Sequence, residues 1–576
     1  MPKERLLTDK LDAFRRADTP LPDKNILWPL YGVGLDNMGD NGRPIQGPMP
    51  QYGPDELLVR HDACGLCFSD IKVVALGEDH PRIYRSMQQD PITLGHEVTI
   101  TVVGVGENLQ DQYHVGDRFI IQPDIFVNGV RYTYGYEIQG GLSQYNVIDQ
   151  RVLNGDHGNY LIPVQPETGY AESALTEPWA CVIAAYGLTY RTGLKAGGTT
   201  WIIGTGGQAD YTLSAGFDEA SHPDRLFLTN VPPVFAARLR ERAAVLGVAV
   251  EAVPDVSALA GEYMDDIVLL GAEPDWIEVA SPFLADAGVF AIIATEPLPR
   301  RVNIDMGRVH YNRWVYVGGS GPDIAAAYRA VPVRSSLRPG GRAMFVGAGG
   351  PMGRMHVQWA IEVAGGPQTI VCTEVSDFRL DDLRRNFAAD AEANGIEFIC
   401  LNPLNKEEYE AGMSRFKTEQ FDDIIVMAPV PAVITEAAGW LAPQGVMNVF
   451  AGVARGTMVK LELSDVYRRD VRYIGHSGSG VGELRFMLNL AEGGQLSPNR
   501  AVAAVGSLSA ARAGLQAVKD AIFPGKVVIF PQIKELPLIP LPELAEKMPT
   551  VFARLKDGRE WTVAAEQEFL RLMLPS

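Results

Sequence analysis

The chain has 576 residues, which is too long for one ordinary hydrophobic core and predicts several domains. Its hydrophobic fraction of 46% and charged fraction of 21% are typical of a globular protein. The net charge of −19 argues against nucleic acid or an anionic membrane as a partner, and no apolar run is long enough to span a bilayer. The charged start lacks a secretion signal and the five cysteines are scattered, so the expected location is cytoplasmic.

The first part of the chain predicts an irregular, mostly β domain. Short β-type runs such as Glu56–Arg60 and Val98–Val103 are separated by turn signals such as Gly116-Asp117. After Pro178, strand-like apolar runs alternate with helical stretches rich in Ala, Leu and Arg. That alternation indicates parallel βαβ units.

The α/β region contains an internal repeat. Asp265–Val268 is echoed by Asp422–Ile425, and Val315–Gly321 is echoed by Arg472–Gly478, both at an offset of 157 residues. A constant offset indicates two tandem nucleotide-binding domains of the Rossmann type. The predicted domains are a β domain over 1–185 completed by 494–534, a first Rossmann-type copy over 196–330, a second copy over 338–480, and a helical tail over 535–576.

Three short segments carry residues suited to a metal: Gly65–Asp70, Gly95–Glu97 and Thr176–Trp179. Each segment alone is a weak signal, because a lone cysteine usually packs in the core and a lone histidine is usually a satisfied polar group. Cys64 and Cys67 also form a C-x-x-C motif, which could be a redox pair or half of a zinc site. No second C-x-x-C completes a four-thiolate site.

Taken together and in this order, the segments resemble the medium-chain dehydrogenase/reductase family, the zinc alcohol and polyol dehydrogenases. The resemblance covers roughly residues 50–532, and it includes Gly140–Tyr145 and the strand-like Phe523–Ile529. It implies an α/β plus β fold, with a GroES-like β catalytic domain and doubly wound Rossmann-type domains. The duplicated cofactor domain is the main departure from the family.

The resemblance implies that Cys67, His96 and Glu177 bind one catalytic zinc. A catalytic zinc takes three protein ligands of mixed S, N and O type and keeps a fourth position open. Because the third ligand is a glutamate, the chain resembles the polyol, sugar and threonine dehydrogenases more than the ethanol-type enzymes. The stretch 122–136 contains no cysteine, so no structural zinc is expected.

Three neighbours of these ligands have roles implied by the same resemblance. Ser69 resembles the hydroxyl that takes the substrate proton into a relay. Asp70 resembles the carboxylate that orients the zinc-bound histidine. Glu97 is expected either to contact a metal ligand without binding the metal itself or to replace a ligand occasionally.

The second copy carries the better cofactor loop. Its glycine-rich turn follows the strand-like Met344–Val346 and precedes a helical segment, which suits a pyrophosphate. Glu374 ends the next strand and favours NAD over NADP, with Asp377 as a rival for that role. The predicted cofactor residues are Gly347, Gly349, Gly350, Pro351, Met352, Gly353 and Glu374.

The first copy, with the loop Gly204–Asp210, is expected to be degenerate. Its second strand ends in Asn230 with no acid, and Asp210 would repel phosphate. However, the chain runs directly from Glu177 into this copy, as in ordinary family members, which favours the first copy as the cofactor domain. The sequence therefore leaves open which copy faces the zinc.

The leading hypothesis is a zinc- and NAD-dependent dehydrogenase for a secondary alcohol of a polyol, sugar or sugar phosphate. A zinc-free reductase of the same superfamily and a non-catalytic NAD- or metabolite-sensing protein remain alternatives. Arg82, Arg85 and Arg131 could contact an anionic substrate. The edge strands near Tyr316 and Tyr473 are predicted to pair with each other within one chain, so that the two copies form an internal pseudo-dimer that hides both edges. The protein is then expected to be a monomer with this pseudo-dimer, or else a homodimer.

Overall fold

The computed structural model describes residues 10–206, 210–329 and 336–575. Two compact units divide the chain. Unit 1 comprises the described residues of Met1–Ile183, Gly350–Met355 and Gly478–Ser576, and unit 2 comprises those of Ala184–Gly349 and His356–Ser477. No helix among the described residues is both long and apolar enough to cross a membrane.

Unit 1 is built on an eight-stranded, mostly antiparallel sheet. Its long central strands are buried along nearly their whole length, so the sheet forms the middle of a continuous apolar core. The strands, in spatial order, are Leu161–Pro163, Arg118–Ile121, Glu97–Val105, Leu57–Gly65, Lys526–Phe530, Val502–Ser507 and Ile539–Pro540, with Tyr145–Ile148 also paired to Leu57–Gly65.

Short helices and smaller strand pairs complete unit 1. The helices are Phe68–Leu76, Gln150–Leu153, Tyr170–Ala174, Val481–Glu492, Ala511–Lys519, Leu544–Lys547, Pro549–Phe552 and Val563–Met573, and Thr176–Tyr186 begins in this unit. The paired strands are Lys24–Leu27 with Ile45–Pro48, Pro29–Leu30 with Ile92–Thr93, and Asp124–Val127 with Val130–Thr133.

Unit 2 contains two six-stranded sheets whose strands are all parallel. In both sheets the strand order, numbered along each copy, is 3-2-1-4-5-6, the order of a dinucleotide-binding fold. This arrangement confirms the prediction of two tandem Rossmann-type domains. The first sheet is, in spatial order, Ala249–Ala252, Arg225–Thr229, Thr199–Gly204, Met264–Leu270, Leu284–Ile293 and Val315–Gly319; the second is Glu397–Leu401, Thr369–Thr373, Arg342–Val346, Phe421–Val426, Leu441–Val449 and Arg472–Ile474.

The two copies differ in the segment that follows their first strand. In the second copy, Pro351–Glu362 connects the first strand to the second. In the first copy, the described residues between Gly204 and Arg225 hold no helix. The helices are Pro233–Leu246, Pro274–Ala280, Met306–Tyr311 and Ile324–Arg329 in the first copy, and Pro351–Glu362, Asp377–Ala393, Lys406–Met413, Phe416–Glu419, Pro431–Ala438 and Ser464–Arg468 in the second.

The two copies contact each other through a local two-fold arrangement. Val302–Asp305 pairs antiparallel with Met458–Leu461, so that Val302 faces Leu461 and Ile304 faces Val459. The 157-residue offset maps Val302 onto Val459 and Ile304 onto Leu461, so the contact is self-complementary, as in a symmetric dimer. One apolar core continues across both copies.

Two glycines allow the close approach of the copies. A Cβ on Gly318 would lie 2.6 Å from the Cβ of Tyr467, and a Cβ on Gly475 would lie 2.8 Å from the Cα of His310. The same offset relates both pairs. However, the edge strands that contain Gly318 or adjoin Gly475 belong to separate sheets. The expectation of one continuous sheet across the repeat is therefore wrong, although the edges do meet.

Candidate active site

The helix Phe68–Leu76 positions three of the predicted residues. Cys67 is its N-cap. The Cys67 backbone N–H donates to Asp70 Oδ2 at 3.0 Å, which fixes the start of the helix. Ser69 lies in the first turn, with its Oγ 3.6 Å from Cys67 Sγ.

A second segment brings an imidazole to this helix end. Asp70, which is fully buried, places Oδ1 3.1 Å from His96 Nδ1. This contact turns the other ring nitrogen, Nε2, away from the carboxylate. Burial lowers the pKa of His96, but the charge of Asp70 and its hydrogen bond, together with Cys67, raise that pKa well above its usual value.

Glu97 follows His96 at the start of a buried strand. Ligand atoms of Cys67, His96 and Glu97 all lie within 4.8 Å of one another. Glu97 Oε1 accepts a hydrogen bond from Lys526 Nζ at 2.5 Å, and Glu97 Oε2 is buried with no hydrogen-bond partner among the described residues. Burial opposes a charged Lys526, but the charges of Glu97 and Cys67 outweigh it and raise its pKa.

Glu177 is the second residue of the helix Thr176–Tyr186. Its carboxylate is buried, and no lysine, arginine or histidine among the described residues forms an ion pair with it. Burial, opposed by the charge of His96 and assisted by Glu97, raises the pKa of Glu177 to about 7. The Cys181 thiol donates to Glu177 Oε1 at 3.7 Å.

The donor set fits a zinc ion. One thiol, one imidazole and two carboxylates are the S, N and O donors that zinc takes. A buried carboxylate with no direct ion pair, and a buried carboxylate oxygen with no hydrogen-bond partner among the described residues, are stabilised when a cation binds them. The group of three within 4.8 Å contains Glu97, whereas the sequence predicts Glu177 as the third ligand.

Two residues that support this site were not assigned a role from the sequence. Lys526 lies 429 residues from its partner Glu97 in the sequence, and no local sequence pattern predicts such a pair. Glu566, in the C-terminal tail, accepts hydrogen bonds from the backbone N–H groups of Tyr170 and Ala171 at 2.6 and 2.7 Å. The tail therefore fixes the helix Tyr170–Ala174, which directly precedes the helix of Glu177.

The cofactor loop of the second copy lies at the predicted strand end. Gly347 has φ +77°, and a Cβ on Gly349 would lie 2.8 Å from Glu374 Oε2. The Gly349 backbone N–H donates to that oxygen at 3.1 Å, so the loop and the predicted acidic residue are in contact. Gly350, Pro351, Met352 and Gly353 continue into the helix Pro351–Glu362, whose first residues belong to unit 1.

The loop of the first copy is different. Gly204 leaves no room for a side chain, because a Cβ there would lie 2.2 Å from the carbonyl oxygen of Asn230. Asp210, which the sequence predicts to repel phosphate, forms an ion pair with Arg238. Residues 207–209 of this loop lie outside the described residues.

Comparisons with known proteins agree with this arrangement. Residues 53–154 match the alcohol dehydrogenase GroES-like domain. Mannitol-1-phosphate 5-dehydrogenase of Aliivibrio fischeri is 24% identical over 536 residues, which cover 91% of this chain and 93% of that protein. L-sorbose 1-phosphate reductase of Klebsiella pneumoniae is 20% identical over 503 residues, which cover 86% and 87%.

Solved structures share the fold. The crystal structure of 2R,3R-butanediol dehydrogenase from Bacillus subtilis matches with a TM-score of 0.50 and 15% identity, and the match covers 88% of this chain and 99% of that one. At this identity the likeness shows the fold alone. The domain match, the near full-length relatives and the GroES-like and Rossmann-type architecture agree: the chain belongs to the medium-chain dehydrogenase/reductase family, an oxidoreductase family of alcohol and polyol dehydrogenases.

Proposed function

We propose that the chain is a zinc-dependent dehydrogenase that transfers a hydride between NAD and a secondary alcohol or ketone of a polyol, sugar or sugar phosphate. The observation that carries this proposal is the convergence of the Cys67 thiol, the His96 imidazole and the Glu97 carboxylate. The buried Glu177 is near enough for the charges of His96 and Glu97 to act on it. A core-packing role would not require such polar groups to meet around a buried carboxylate oxygen that has no hydrogen-bond partner among the described residues.

Cys67, His96 and Glu177 would hold the zinc. Glu97 is the weaker candidate for the third ligand, because its charge is already compensated by Lys526. Glu177 forms no direct ion pair among the described residues, although the charges of His96 and Lys526 also act on it. When bound, zinc lowers the pKa of a substrate hydroxyl so that its carbon can release hydride.

The protein's own residues supply orientation and proton transfer. Asp70 Oδ1 accepts a hydrogen bond from the Nδ1–H of His96, and this keeps Nε2 as the nitrogen with a free lone pair. The Ser69 hydroxyl, half-buried beside Cys67, would receive the substrate proton and pass it toward solvent. The Lys526–Glu97 pair keeps a second carboxylate in place without leaving its charge uncompensated.

The second copy is the proposed NAD site. Its loop is followed by a helix N-terminus, which favours a pyrophosphate, whereas the described residues of the first copy lack that helix. Glu374 beside Gly349 would disfavour the 2′-phosphate of NADP. Gly350–Met355 belongs to the same unit as Cys67 and His96, which also supports the second copy.

The substrate class is supported by the near full-length relatives. One relative is named for mannitol 1-phosphate and the other for L-sorbose 1-phosphate, and both matches span most of each chain. A phosphorylated polyol or ketose is therefore included in the proposal.

A metal assay combined with a substrate panel tests the proposal. The purified protein should contain one zinc per chain and reduce NAD with at least one polyol or polyol phosphate. Glu177→Gln should lower zinc content and activity together, whereas Glu107→Gln, an exposed control, should change neither. Activity without zinc would favour a zinc-free reductase, and NAD binding without any turnover would favour a sensing protein.

A further inference from the structure

Three arginines of unit 1, Arg82, Arg85 and Arg131, differ in how their charge is compensated. Arg85 is compensated twice: it forms ion pairs with Asp90 at 2.8 Å and with Glu137 at 3.1 Å. Arg82 and Arg131 instead share one carboxylate, that of Asp124. We call Arg82, Asp124 and Arg131 the Asp124 cluster. With two guanidinium groups and one carboxylate, it carries one excess positive charge.

A tight hairpin builds this cluster. The strands Asp124–Val127 and Val130–Thr133 are joined by Asn128-Gly129, both with positive φ, which is the turn that suits the twist of an antiparallel pair. Asp124 faces Thr133 across the ladder. The carboxylate of Asp124 accepts from Arg131 Nε at 2.8 Å and from Arg82 Nη1 at 3.2 Å.

The excess charge is half-buried and open to a ligand. The side chains of Arg82 and Arg131 are 29% and 32% exposed, and that of Asp124 is 16% exposed. Burial, together with the positive charges of Arg82, Lys72 and Arg131, lowers the pKa of the nearby His80 to about 4. Positive groups therefore converge here, although the whole chain carries a net charge of −19.

The Asp124 cluster lies close to the metal-binding group. The ring of Tyr136 packs edge-on against both His80 and His96, with centroid distances of 5.3 and 6.0 Å. The charge of Asp124 also acts on Glu177, and that of His96 acts on Asp124. A cationic group this close to the candidate reaction centre is suited to hold the far end of a small substrate.

We propose that Arg82 and Arg131 bind a phosphomonoester at the end of the substrate away from the carbon that is oxidised. This inference rests on the proposed function and narrows its substrate class to polyol and ketose phosphates. Arginine suits this ligand because its planar guanidinium makes paired, charge-assisted hydrogen bonds to phosphate oxygens. A dianionic phosphate also matches an excess positive charge better than a neutral hydroxyl does.

Steady-state kinetics on matched substrates test the proposal. The probes are D-sorbitol with D-sorbitol 6-phosphate, and D-mannitol with D-mannitol 1-phosphate, each assayed by NAD reduction with the zinc-loaded protein. The wild-type protein should prefer the phosphate in at least one pair. Arg82→Gln and Arg131→Gln should each lower kcat/KM for that phosphate about tenfold or more, mainly through KM.

The controls separate binding from structural effects. Both variants should bind zinc as the wild-type protein does and lose much less kcat/KM on the neutral polyol than on the phosphate, and Arg131→Lys should recover part of the loss on the phosphate. Arg151→Gln, at an arginine of the same unit that is paired with Asp149, should behave as wild type. Should the variants fail to fold, competitive inhibition of the wild-type protein by glycerol 1-phosphate but not by glycerol supplies the same test.

Three results would overturn the inference while leaving the proposed function intact: equal use of the neutral and phosphorylated polyols, an equal loss on both in the arginine variants, or preference for a sugar acid such as gluconate over every phosphate. No NAD reduction with any of these substrates would instead contradict the proposed function itself.

Discussion

Replacing Asp70 by asparagine isolates the role of one buried carboxylate. The side chain is fully buried, and its two oxygens face two nitrogens: His96 Nδ1 at 3.1 Å and the Cys67 backbone N–H at 3.0 Å. Asparagine has nearly the same shape but offers one oxygen and one NH2 group. Asp70→Asn therefore cannot accept from both nitrogens.

Either orientation of the new amide weakens metal binding. With its oxygen toward Cys67, its NH2 faces Nδ1 and drives the proton of His96 onto Nε2, the nitrogen that the metal needs. With its NH2 toward Cys67, two donors face each other in a buried place, which costs about 1–3 kcal/mol. Loss of such a supporting partner typically lowers metal affinity about 10- to 100-fold, or roughly 1.4–2.8 kcal/mol.

Competition between the protein and a chelating zinc indicator measures this affinity at fixed pH. Asp70→Asn should bind zinc about 10- to 100-fold more weakly than the wild-type protein and lose activity at low zinc. Asp111→Asn, an exposed aspartate of the same unit, is the matched control. An unchanged zinc affinity in Asp70→Asn, in a protein that still folds, would refute the assignment of Asp70 as the residue that orients His96.

Further predictions concern the cofactor, the pH dependence of stability and the repeat. Calorimetric titration should find one NAD per chain. Gly349→Val should abolish binding because its side chain would collide with Arg379 and Glu374 and displace the loop, and Asp210→Asn should leave binding unchanged. Burial raises the pKa of Glu172 to about 7, so its charge lowers stability as pH rises through that value. At pH 8, Glu172→Gln should thus increase the free energy of unfolding by about 1–2 kcal/mol and raise Tm above that of the wild type, whereas at pH 5 it should have little effect. A variant whose Tm equals that of the wild type at both pH values would contradict this. Gly318→Val and Gly475→Val should each cost about 1–3 kcal/mol and lower Tm similarly, since the repeat makes their surroundings equivalent; a large effect of only one would contradict that equivalence.

The parts of the molecule that could be predicted from the sequence are those determined by patterns within short segments. Alternating apolar runs and the constant 157-residue offset predicted two parallel nucleotide-binding folds, because strand and helix periodicities repeat within short windows. The metal segments were also found locally, since Cys67 directly precedes a helix and His96 directly precedes a strand. The predicted fold class and family are confirmed; the site residues stay proposals.

The remaining features depend on contacts between distant residues. The Lys526–Glu97 ion pair and the capping of a helix by Glu566 join residues roughly 400 positions apart, and no short-range spacing encodes them. The sequence also did not predict that the described residues between Gly204 and Arg225 hold no helix, although the poor glycine loop at Gly204 indicated a degenerate copy. The hairpin with Arg131 did have a signal, because Asn128-Gly129 between β-type runs is a strong hairpin pattern.

A crystal of the zinc-loaded protein, measured at the zinc absorption edge, locates the metal itself. One anomalous peak per chain is expected within bonding distance of Cys67 Sγ, about 2.3 Å, and of His96 and Glu177, about 2.0–2.2 Å. A peak bound by Glu97 in place of Glu177 would contradict the proposed ligand set. A peak elsewhere, or none in crystals of zinc-treated protein, would contradict the zinc-dependent dehydrogenase itself.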